Sequence, residues 1–90
     1  MTMDELLRAV ASGQQVFQPE KTDNSYSDAQ LAAFTAVVHL AHEALRKGYV
    51  SYAIPHRAND VYSQTTYYDH MVVRGLTEDG GDRIVAGANA

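Results

Sequence analysis

His39-Leu40-Ala41-His42-Glu43 is the stretch of this 90-residue chain whose residue types and spacing could do metal chemistry. Three residues apart on a helix, two imidazoles share one face and come within reach of a single divalent cation. The spacing is not the His-Glu-x-x-His of zinc proteases, and no third ligand is placed by sequence. His56 and His70 would join only if the segment carrying them folds back toward the same stripe. Two histidines on a solvated helix face is the plain reading, and no metal or other cofactor is expected. A second concentration is aromatic: Tyr49, Tyr52, Tyr62, Tyr67 and Tyr68 crowd one half of the chain. Tyrosines can stack on nucleobases for about 1–3 kcal/mol each, although on a half-buried hairpin they commonly form cross-strand pairs. No serine or carboxylate has an identifiable catalytic partner. Gly80-Gly81 reads as a bend, and no glycine loop is set to cradle a phosphate. The sequence does not read as an enzyme.

The composition bounds what such residues can be built on. Ninety residues make one domain, read here as residues 1–90. Hydrophobic content of 46% with 20% charged residues is that of a folded domain. Cysteine is absent, which excludes disulfides and thiolate metal sites and suits a reducing cytoplasm. No apolar run approaches the ~20 residues that span a bilayer, and the start of the chain lacks a basic-then-apolar signal pattern. The expectation is a cytoplasmic protein with no membrane partner. A net charge of −4 counts against a strong nucleic-acid binder, because lysine and arginine on phosphate supply most non-specific affinity.

The elements that must position these residues are signposted by caps. Thr2 to Glu5 is a capping box opening a helix over Met3–Ser12, whose Met3, Leu6, Leu7 and Val10 form one apolar stripe and which Gly13 ends. From Gln14 to Ser25 the pattern breaks into a surface loop with Pro19 and Lys21-Thr22-Asp23-Asn24-Ser25, anchored by Val16 and Phe17. Ser27 to Gln30 is a second capping box, and a helix from Ser27 to Lys47 follows, ended by Gly48. Leu31, Phe34, Val38, Ala41 and Leu45 line one face, widened by Ala33, Val37, Leu40 and Ala44 to roughly half the circumference, well beyond the ~100° a surface helix needs. Asp28, Thr35, His39, His42 and Arg46 form the opposite, polar stripe. After Gly48 the period becomes two. Tyr49–Ile54 and Tyr67–Arg74 are candidate strands; Pro55 limits the first, and His56–Thr66 reads as a long, mobile hairpin tip. A Thr77 cap starts a short helix ending near Val85, weakened by Gly80 and Gly81 at about 1 kcal/mol each.

Val73-Arg74-Gly75-Leu76-Thr77-Glu78-Asp79-Gly80, with Leu45 to Val50 where a helix ends in glycine and enters a strand, resembles the wing closure of small winged-helix proteins of bacteria and their phages, YjcQ-like families among them. The likeness covers roughly Tyr26 to Val85. It implies an α+β, winged-helix-like domain: a long central helix, a β-hairpin wing and a short C-terminal helix. The sequence departs from that pattern at Gln14–Ser25, where a winged helix has a middle helix. A second register stays open, in which Ser63-Gln64-Thr65-Thr66 followed by Tyr67 and Met71 is similar to the start of recognition helices in MarR-like and GntR-like regulators.

Under the resemblance the chain is a winged-helix DNA-binding or transcription-associated protein that acts as a homodimer, with double-stranded DNA as its partner. Ser27, Asp28 and Gln30 would open the recognition helix, Thr35, His39 and Arg46 would follow along it, and Arg57 in the hairpin would reach the backbone. The breadth of the apolar arc points to a dimer interface with Phe34, Val38 or Leu45 in it. The competing reading is a protein–protein interaction or dimerisation module that binds no DNA, favoured by the wide apolar arc of the long helix, the acidic balance and the missing middle helix. Surface charge discriminates: a contiguous basic patch around Arg46, Lys47, Arg57 and Arg74 supports DNA, and scattered charge beside an exposed apolar patch supports a protein partner.

Overall fold

Both capping boxes form as their residues dictate, and they set where the helices begin. A computed structural model describes residues 1–22, 25–60 and 65–88. Helix α1 is Met3–Ala11, with the Thr2 hydroxyl accepting from the Glu5 amide and the Glu5 carboxylate accepting from the Thr2 amide. Helix α2 is Asp28–Arg46, closed at its start by the same reciprocal bonds between Ser27 and Gln30. Gly13 and Gly48 sit at φ 102 and 78 just past the two helices, and the amides that follow them fold back onto the last turn.

The remaining elements are β1 (Val16–Phe17), β2 (Val50–Asp60), β3 (Thr65–Leu76) and α3 (Glu78–Ala88). The strands form one antiparallel sheet in the order β1-β3-β2. This is the α+β, winged-helix-like layout: a long central helix, a β-hairpin wing and a short C-terminal helix. Helices α1 and α2 pack on one face of the sheet, against Ala53, Met71 and Val73. Leu6, Leu7, Val10, Phe17, Phe34, Val38, Ala41, Ala44 and Val50 complete the core. The molecule is elongated, 47 × 21 × 18 Å.

Several expectations are corrected. Residues 65–76 are strand, so the register that made Thr65–Leu76 part of a recognition helix is excluded; Ser63 and Gln64 lie outside the described residues. Pro55 does not end pairing. It stands opposite Met71, and β2 continues to Asp60, because β2 is an edge strand and a proline whose nitrogen faces solvent removes no ladder bond. Most of the supposed tip, His56–Thr66, is therefore paired strand. The loop between Gln14 and Ser25 contains β1, where Val16 and Phe17 pair with Val72 and Met71; Asp23 and Asn24 lie outside the described residues. Two apolar residues are too short a run to signal a strand by period. Helix α3 runs past Val85 to Ala88, and Gly80-Gly81 is part of its first turn and no bend.

Two glycines explain the join of hairpin and α3. Gly75 is at φ 76, and a Cβ there would stand 1.8 Å from Ser51 Oγ. Beyond it the Val50–Leu76 pair turns into the core. Gly80 is buried in α3, where a Cβ would meet the Tyr49 carbonyl oxygen at 2.3 Å and Leu76 Cδ1 at 2.8 Å. Its role is close approach, not conformational freedom. Thr77 fastens the same corner: its hydroxyl donates to the Gly48 carbonyl and accepts from the Gly80 amide.

Candidate functional site

Each sequence-predicted residue has a definite place. Ser27 and Gln30 spend their side chains on the cap of α2, and Gln30 Nε2 also donates to Thr22 Oγ1 at 3.0 Å. Thr35 is half-buried and returns its hydroxyl to the Leu31 carbonyl. Asp28, His39, His42 and Arg46 are exposed along α2, as the stripe requires. His39, His42, Glu43 and Arg46 line a shallow dish on that helix. Glu43 takes both nearby cations, with Arg46 Nη2 at 3.4 Å and Lys47 Nζ at 3.5 Å. Arg57 lies on β2 opposite Tyr68, stacked on its ring at 5.2 Å and donating to its hydroxyl. It borders an open concavity of about 370 Å³ between α2 and the hairpin, with Asp28, Leu31, Ala32, Thr35, Thr66, Tyr67 and Tyr68.

The structure thus brings Asp28, Thr35 and Arg57 around one concavity, and His39 and Arg46 around another. It does not gather the cations. Arg46 and Lys47 are at the end of α2, and Arg83 joins Asp4 of α1 at 2.9 Å. The hydrogen bonds that Arg83 donates to the Tyr49 hydroxyl and to the Asp4 carboxylate raise its guanidinium above its ordinary basicity. Lys21 lies over Tyr26 and Arg74 over Tyr52, at 5.0 and 4.2 Å from the ring centroids.

The tyrosines are engaged within the chain. Tyr49 meets Arg83, Tyr67 meets Tyr26 edge-on at 5.7 Å, and Tyr52 and Tyr68 carry arginines from the opposing strand. Tyr62 lies outside the described residues. His56 and His70 do not approach the α2 stripe. They stack on each other at 4.2 Å, cross-strand partners on the sheet face turned away from α2. Among the described residues no group of three or more histidine or acidic side chains is arranged to hold a metal ion, and none of the helices is long and apolar enough to cross a membrane.

Sequence reasoning missed that outer sheet face. Along β2 and β3 the inward positions are Ala53, Pro55, Met71 and Val73; the outward ones are Tyr52, Ile54, His56, His70, Val72 and Arg74. Cross-strand pairing places Val16, Val72 and Ile54 in one row over all three strands. Val16 is 48% and Ile54 43% exposed, with Val72 half-buried between them, so the two ends of the row are open to solvent. Tyr52 and Arg74 flank it on one side, and His56 and His70 on the other. Asp69 lies beside His70, its Oδ2 3.1 Å from Nδ1. Asp69 is left without a cross-strand partner, since His56 faces His70 and Arg57 faces Tyr68. Ala53-Ile54 and Val72-Val73 are adjacent apolar residues on opposite faces, so alternation could not say which was left outside.

Phe34 and Val38, expected at a dimer interface, are 4% and 0% exposed within the single chain. The centre of the apolar arc of α2, Phe34, Val38, Ala41 and Ala44, is covered by the sheet and α1 beneath it, while Leu31, Val37 and Leu40 are half-buried and Ala33 and Leu45 stay exposed. No family model, curated protein or solved structure matches this chain.

Proposed function

We propose that this chain is a non-catalytic protein-interaction module on a winged-helix-like scaffold. The observation that carries this reading is the contrast between its surfaces. The cations are dispersed, several of them paired with acids or stacked on tyrosines, while the outer sheet face presents a registered aliphatic row. Duplex binding draws its affinity from cations gathered on one face. The start of α2, which would enter a major groove, offers Asp28 and two side chains already committed to a cap.

Duplex DNA is the second reading, favoured by the β1-β3-β2 order and the long projecting hairpin with Arg57 on it. Titration of a labelled mixed-sequence duplex at low salt and pH 6 separates the two. The interaction module gives no binding in the ~10⁻⁴–10⁻⁶ M range typical of non-specific complexes. Salt-dependent binding, with a slope that Arg57→Ala or Arg46→Ala flattens by about 0.9, would establish the DNA reading in its place. Sequence preference that changes with Gln30→Ala would add base readout to it.

A further inference from the structure

We infer that the partner of the outer sheet face is a second copy of this chain, packed face to face about a two-fold axis lying along the Val16–Val72–Ile54 row. The inference rests on the interaction reading above and specifies its occupant. The face is open on the side of the sheet away from α1 and α2, and its centre is aliphatic across all three strands.

Its charges choose the arrangement. At about 3.4 Å per residue, Arg74 stands roughly 7 Å from Val72 along β3 in one direction, and His70 with its Asp69 partner about as far in the other. Two sheets stacked about a two-fold axis in their interface have two simple options. An axis parallel to the strands sets Arg74 on Arg74 and Asp69 on Asp69. An axis along the row reverses the strands, so Arg74 of each copy meets the His70–Asp69 end of the other, Tyr52 meets His56, and the aliphatic row meets itself. Opposite charges then face each other twice, and like charges are separated. The arginine is already held over the Tyr52 ring, which limits the freedom lost on docking.

Edge-to-edge pairing is the less favourable route for the same elements. Strand β1 has two residues, and the free edge of β2 carries Pro55 near its middle, a residue that blunts strand edges. A face three strands wide is at the low end of specific interfaces, so reversible association is expected, not a permanent dimer.

Sedimentation velocity on the intact chain up to about 500 μM tests this, with helix content and melting temperature followed for each variant. The wild type should show monomer and dimer in exchange. Ile54→Lys, at an exposed position, should leave the melting temperature near wild type and raise the dissociation constant about tenfold or more. Arg74→Asp and Asp69→Arg should each weaken association several-fold, and the double variant, which restores opposite charges across the axis, should recover most of the wild-type affinity. A wild type that stays monomeric overturns the inference, as does a dimer indifferent to Ile54→Lys or a double variant no better than the singles. Those results leave the interaction reading in place, whereas the duplex titration alone decides against it.

Discussion

Gly80 and Gly81 are neighbours in the first turn of α3, yet alanine should have opposite effects at the two positions. On helix propensity alone each replacement gains about 0.5–1 kcal/mol, because glycine loses more backbone freedom on folding. At Gly81 nothing lies within 4 Å of the new Cβ, so the gain is kept. At Gly80 the Cβ would stand 2.3 Å from the Tyr49 carbonyl oxygen and 3.1 Å from its carbon. That carbonyl cannot simply retreat, since it accepts the Thr77 amide at 3.0 Å. The helix must move off the sheet, at the overpacking cost of about 1–3 kcal/mol, which exceeds the propensity gain. For a domain of this size 1 kcal/mol corresponds to about 4–8 °C. Thermal unfolding followed by circular dichroism should therefore show Gly81→Ala melting a few degrees above the wild type. Gly80→Ala should melt about 5–15 °C below it. A Gly80→Ala protein as stable as Gly81→Ala would refute the claim that close approach, not turn geometry, requires glycine there.

Three further outcomes follow from the same corner, cap and core. Thr77→Ala should cost about 1–2 kcal/mol in urea unfolding, since one hydroxyl serves both the α3 start and the Gly48 carbonyl, and Thr77→Ser should recover most of it. Met71→Ala, at a side chain with no exposure, should cost about 2–5 kcal/mol, while Ile54→Ala at low micromolar concentration should stay within about 0.5 kcal/mol. The Glu5 carboxyl, held below its ordinary 4.5 by hydrogen bonds from the Thr2 backbone and then its side chain, should titrate below that value by ¹³C NMR. Its folded-state pKa is depressed, so its support for α1 is present above pH 4.5 and is lost as pH falls through the folded value; Thr2→Ala should bring the midpoint part of the way back.

The helices and their ends were legible in the sequence because capping is local. Thr2 with Glu5, Ser27 with Gln30 and the glycines at 13 and 48 act within one turn of the chain, and each does in the structure what its position requires. The hairpin was legible in outline from the change of period after Gly48. Its length was not, since Pro55 is tolerated only because β2 became an edge, and edges are decided by strand order. Nor could the sequence tell that the centre of the broad arc of α2 would be buried inside one chain. That depended on Phe17 of β1 and Met71 and Val73 of β3 joining one core with Phe34 and Val38. Val16, Ile54 and Val72 are ordinary apolar residues in sequence, scattered over three segments. They became one row only when β1 and β2 paired on either side of β3, a long-range register that no local pattern encodes.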